Sequence, residues 1–161
     1  MIIDANVLFG FERESRFDLS VEKTLSLMEQ KGIDKALITN TKCKFFDFVE
    51  GNNETRQVVE KNPDKFYALA GLNVAQFFDI RNEAKRCLKE LGFAGLRLFN
   101  TDSSFISYWG GGLSSLSVRY LLDVVDGLHK LIFLEAGWAF LLCPAKRVEV
   151  PTFHHLLIPE F

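Results

Sequence analysis

Five short stretches of the chain are almost continuously apolar: Ile2 to Phe9, Lys35 to Thr39, Phe66 to Leu72, Ala94 to Phe99 and Leu131 to Ala136. Runs of this kind, without polar alternation, are how strands buried on both faces read, as in parallel sheets. Between them the apolar positions change to helical spacing. Val21, Leu25 and Met28 recur at i, i+4 and i+7, with Ser20 placed as an N-cap and Gly32 just past the end. Ile80, Ala84, Cys87, Leu88 and Leu91 form a second stripe, stopped by Gly92, and Val118, Leu121, Leu122, Val125 and Leu128 form a third. A weaker helix is predicted from about Glu54 to Asn62, ending before Pro63. The resulting order, β-α-β-α-β-α-β-α-β, predicts an α/β fold with a parallel sheet.

The connections are unequal. Helix-to-strand links are short: Gly32 to Asp34, Pro63 to Lys65, and little more than Gly92. Three strand-to-helix links are long: Gly10 to Leu19, Asn40 to Asn53, and Asn100 to Ser114. Sites in α/β barrels and open α/β sheets lie at the carboxyl ends of the strands, so the long links predict a binding face there.

Composition narrows the class. The 161 residues suit one domain, and the 48% apolar content argues against disorder. Sixteen Phe imply an aromatic core or aromatic loops. A net charge of -2 with interspersed signs gives no nucleic-acid footprint. No apolar stretch is long enough to predict a membrane span. Cys43, Cys87 and Cys143 share no metal-type spacing, and with no signal-peptide pattern they suit a reducing cytoplasm. The chain has no P-loop, no GxGxxG and no GxSxG elbow. Gly110 to Gly112 do not open from a strand into a helix, so they do not read as a phosphate cradle.

The segments "IIDANVLFG", "LSLMEQKGIDKALIT", "EGNNETRQVVEKNPDKFYALAGLN", "ELGFAGLRLF" and "LIFLEAGW" resemble, in order, the N-terminal half of the amidohydrolase-related (amidohydrolase-2 type) family. That family includes aminocarboxymuconate semialdehyde decarboxylase. The resemblance covers roughly residues 1–140 and leaves 141–161 as a divergent C-terminal tail. It implies a TIM-like (β/α) barrel, here incomplete, with about five parallel strands and four helices. It also implies a divalent metal, often zinc, that activates water or polarises a substrate oxygen. The activity implied is hydrolysis or decarboxylation of a small carboxylate, ester, lactone or amide.

The family's metal-binding residues are missing from this chain. A His-x-His pair on the first strand would put two imidazoles on one side of the strand. Asn6 and Leu8 stand at those positions. Asn6 offers a carbonyl suited to hard ions, and Asp4, two residues earlier, offers a carboxylate. Strand-bundle hydrogen bonding is the favoured reading of both. The fifth-strand His matches Glu135, which reads as a metal ligand, as a general base, or as an ion-pair partner of Arg97, the last being favoured. Asp4, Asn6 and Glu135 make a weak donor set, so tight zinc binding is not expected. His129 reads as a helix-end dipole partner. His154 and His155 are adjacent, so on a strand they would face opposite ways and not share an ion.

A complete barrel takes about 250 residues and rarely fewer than about 200. The sequence therefore reads as a truncated or frame-shifted product, a fragment, or a half-barrel that closes on another copy. An open sheet would leave its first and last strands as edges and expose the would-be interior. Homo-oligomerisation is expected, and an isolated monomer should be poorly soluble. Two functional readings stand: a family-type enzyme acting on a small-molecule substrate but inactive as this chain, and a pseudoenzyme or self-associating module without catalysis. A metal-free family enzyme is a third.

Overall fold

The structure is a computed structural model that describes residues 1–11, 18–74, 79–99, 116–136 and 139–144. Strands β1 (Ile3–Phe9), β2 (Lys35–Asn40), β3 (Phe66–Asn73), β4 (Gly95–Phe99) and β5 (Leu131–Ala136) lie side by side in chain order, all parallel. Helices α1 (Val21–Lys31), α3 (Phe48–Lys61), α4 (Ile80–Lys85) and α5 (Leu116–Val125) fill the crossovers. This is half of a (β/α) barrel, as the sequence predicts.

Local chemistry explains most boundaries. The Ser20 hydroxyl accepts from the Lys23 N–H at 3.2 Å and opens α1. Gly32, at φ 65°, closes it by donating to the carbonyls of Glu29 and Met28. Ile80–Lys85 continues into a π-helical turn, Arg86–Glu90, and Gly92 at φ 71° ends that segment. The outer core has two parts. Met28, Ala36, Ile38 and Phe66 pack under α1. Leu72, Ala84, Cys87, Leu96, Leu121 and Val125 pack under α4 and α5. A third cluster, Leu37, Leu69 and Phe133 with Ala5 against it, links four strands in one layer.

Three features depart from the sequence expectation. First, the predicted loop Asn40 to Asn53 contains a short helix, α2 (Lys42–Phe45), and the first turn and a half of α3. Asp47 caps α3 by accepting from the Glu50 N–H at 2.9 Å. The buried face of α3 is Phe48, Gly51, Asn52 and Thr55, at helical spacing but mostly small or polar, so apolar periodicity does not register it. Within "KFFDF", Phe48 is buried, while Phe45 and Phe46 are exposed.

Second, a sixth strand, β6 (Ala139–Pro144), runs antiparallel to β5, from Ala136↔Ala139 to Leu131↔Pro144. It spans the expected boundary at residue 140 and covers the edge of β5 that was expected to be free. Third, the β1–β2 register slips. Asp4 pairs with Ala36 but Val7 pairs with Ile38, so β1 carries an extra residue there. The expectations for His154, His155, Gly110 to Gly112 and the tail beyond 144 lie outside the described residues. No described helix is long and apolar enough to cross a membrane.

Candidate functional site

A cleft of about 520 Å³ opens beside β1, lined by Asp4, Asn6 and Leu8 of that strand, by Leu27 and Lys31 of α1, and by Arg97 of β4. It brings together three of the four residues singled out from sequence. The fourth, Glu135, lies on β5 and pairs in register with Phe140, but its side chain is outside the described set.

The bulge shapes the first strand's contribution. One Asp4 carboxylate oxygen accepts from the Asn6 N–H at 2.9 Å. The carboxylate thus serves the backbone donor in the irregular stretch of β1. Asn6 is exposed at the cleft. The two-residue alternation that would align Asp4 with Asn6 fails across the extra residue, so strand parity no longer places them as a pair.

Arg97 is 1% exposed. It pairs in register with Phe133 on one side and Gly71 on the other. Its guanidinium carbon lies 4.8 Å from the Phe133 ring centroid and 5.2 Å from that of Phe99. Such contacts stabilise a desolvated cation by roughly 1–2 kcal/mol and hold the planar head in place. A fixed, buried guanidinium on a cleft wall is suited to a carboxylate.

These residues do not fit the zinc that the family resemblance implies. Leu8 cannot donate, Asn6 offers only an amide, and the Asp4 carboxylate is already engaged with backbone. Among the described residues no group of three His, Cys, Asp or Glu side chains could hold a metal ion.

A second polar cluster was not anticipated from sequence. Asn52, fully buried, bonds both the N–H (2.8 Å) and the C=O (3.2 Å) of Gly71 and donates to Glu83 at 2.9 Å. Arg86 clamps Glu83 with two bonds of 2.7 Å. The thiols of Cys43 and Cys87 reach into this network, at 3.5 Å from the Asn52 carbonyl oxygen and 3.2 Å from Glu83. Burial, reinforced by the Glu83 charge, pushes both thiols well above the ordinary cysteine range. Neither forms a disulfide. Both should therefore resist alkylation by iodoacetamide in the folded protein at pH 8 and react fully in urea, as peptide mapping would read. Rapid native labelling of Cys43 would contradict the buried placement.

No family model matches the sequence, and no curated protein matches it. Solved structures do match the fold. A protein from Staphylococcus aureus assigned as an amidohydrolase superposes with a TM-score of 0.66 at 15% identity, over 83% of this chain and 47% of that one. A 5-carboxyvanillate decarboxylase from Novosphingobium aromaticivorans, complexed with manganese and a nitrobenzoic acid ligand, gives 0.60 at 16%, over 82% and 49%. A 2,6-dihydroxybenzoate decarboxylase from Rhizobium gives 0.59 at 18%, over 83% and 49%. The chain thus spans about half the length of these proteins, and its fold is that of half of an amidohydrolase-2 type barrel.

Proposed function

We propose that the cleft binds a small aromatic carboxylate through Arg97, and that the chain as it stands does not hydrolyse or decarboxylate it by the metal-assisted route. The observation that carries this reading is the pairing of a buried, ring-stacked guanidinium with a donor set unsuited to zinc or manganese in one cleft. The likeness to decarboxylases of dihydroxybenzoate and carboxyvanillate supplies the ligand class. In this reading Arg97 anchors the carboxylate, and Asp4 stabilises the bulge that exposes Asn6. Glu135 remains the candidate general base or ion-pair partner on the neighbouring strand. The second reading, an interaction module without catalysis, is favoured by the uncovered edge of β1.

The test is titration of the 161-residue chain with 2,6-dihydroxybenzoate, followed by calorimetry and by ligand NMR. Arg97→Met should weaken binding at least about tenfold, the scale of one lost charge-assisted bond. Its circular dichroism should stay native. Dialysed protein should hold far less than one zinc or manganese per chain and release no carbon dioxide. Stoichiometric metal with turnover, or binding indifferent to Arg97→Met, would overturn the proposal.

A further inference from the structure

The two edges of the sheet are treated differently. At the far edge β5 is covered by the chain's own β6. At the near edge β1 pairs with β2 on one side, and no described strand lies on the other. That edge is strongly apolar at its start: Met1 is 90% exposed, Ile2 58% and Ile3 43%. Beside it on α1, Leu27 is also exposed and lines the cleft. A long apolar edge with an adjoining apolar helix flank is a template for strand pairing.

Helix α1 tells which occupant fits. It runs back alongside β1. Its start is tied to the end of β1 by the Gly10 N–H to Leu19 carbonyl bond of 2.9 Å. Its end is tied to the start of β1 by the Asp34 N–H to Ile2 carbonyl bond of 2.9 Å. The helix is acidic at its start, with Asp18 just before it and Glu22 in its first turn, and basic at its end, with Lys31. All three are exposed, and Asp18 and Lys31 line the cleft. A twofold axis through the middle of β1 would set two β1 strands antiparallel and lay the two α1 helices antiparallel on the same face. Lys31 of each copy would then meet Glu22 and Asp18 of the other, with the helix dipoles opposed and Leu27 near the axis. The surface is complementary to itself in this orientation. A parallel side-by-side arrangement would instead set acid against acid.

We infer that the β1 edge and the cleft flank of α1 form the interface of a homodimer, in which β1 pairs antiparallel with β1 of a second copy. The second copy also walls the open side of the cleft. The inference rests on the edge and the helix charges and is independent of the ligand assigned to Arg97.

Sedimentation velocity of the chain across the micromolar range should show a dimer. Leu27→Arg and Lys31→Glu should each weaken it at least about tenfold, because like charges are brought together twice across a twofold interface. Glu22→Lys should weaken it similarly. The decisive arm is mixing. Chains carrying Lys31→Glu are acidic at both helix ends and chains carrying Glu22→Lys are basic at both, so each should be monomeric alone and dimeric when combined. All three substitutions are at exposed positions, and unchanged circular dichroism would verify folding. A monomer at all concentrations, or a dimer that these variants leave intact and that shows no preference in the mixture, would overturn the inference.

Discussion

Asn52→Ala should lower the stability of the fold by about 3 kcal/mol, read from urea unfolding at a constant slope. The reason lies in the way the sheet opens. The β2–β3 ladder pairs Ala36 with Phe66, Leu37 with Tyr67 and Ile38 with Ala68, and then stops. Beyond that point the facing edge of β3 is served by side chains. The Thr39 hydroxyl donates to the Leu69 carbonyl at 3.2 Å, and the Asn52 amide takes both polar groups of Gly71. Alanine would strand a buried N–H and a buried C=O and remove a donor from Glu83, itself only 4% exposed. Each stranded group costs about 1–3 kcal/mol, and partial relaxation holds the sum toward the middle of the possible range. Asn52→Asp should be at least as damaging. It keeps the shape but replaces the amide donor with a carboxylate facing Glu83 and the Gly71 carbonyl. Native-like stability in both variants would mean that Asn52 is not the bridge between α3 and β3.

The same region shows what the sequence makes legible. Parallel strands, the ends of α1 and the short helix-to-strand links follow from apolar runs, Ser20, Gly32 and Gly92, and they stand in the structure where expected. These features are local, and their physics is complete within a few residues. The start of α3 was hidden because its inward face is built from a glycine, an asparagine and a threonine. Hydrophobic periodicity measures transfer from water, and this face is held by hydrogen bonds. Asp47 with Glu50 three residues on was the available signal, since an acidic cap followed by Glu at that spacing opens helices. β6 also left a trace, the apolar "AFLLC" just after Gly137-Trp138, but family resemblance drew the boundary through it.

The site divides in the same way. Asp4, Asn6 and Arg97 were named from sequence, and all three line one cleft. What the sequence does not carry is the extra residue in β1, because a bulge leaves composition untouched while changing which residues share a face. The Asn52–Glu83–Arg86 cluster joins residues more than thirty positions apart, a separation beyond the reach of any local pattern.

Gly71→Ala should be the more severe substitution for function, because it reaches the cleft through the backbone. Its φ is not the issue. A methyl group at Gly71 would collide with the Cβ of Cys43 and stand 2.8 Å from that thiol and 2.7 Å from the Thr39 methyl. Cys43 cannot retreat, since on its other side Gly51 leaves room for no more than a hydrogen: a methyl there would lie 2.9 Å from the Cys43 nitrogen. The thiol therefore occupies a slot between two glycines, one on α3 and one on β3. Overpacking so tight a slot costs about 3 kcal/mol, and the strain must leave through the strand. Gly71 pairs in register with Arg97, so movement of β3 there displaces the guanidinium that lines the cleft. Gly71→Ala should thus lose carboxylate binding as well as stability, whereas Asn52→Ala should retain binding in the fraction that stays folded. Cys43→Gly removes the colliding atom and should recover part of the loss. In a double-mutant cycle with Gly71→Ala it should show a favourable coupling of more than about 1 kcal/mol, the signature of direct contact. Strict additivity would mean that the slot does not exist, and that Arg97 is positioned by β5 alone.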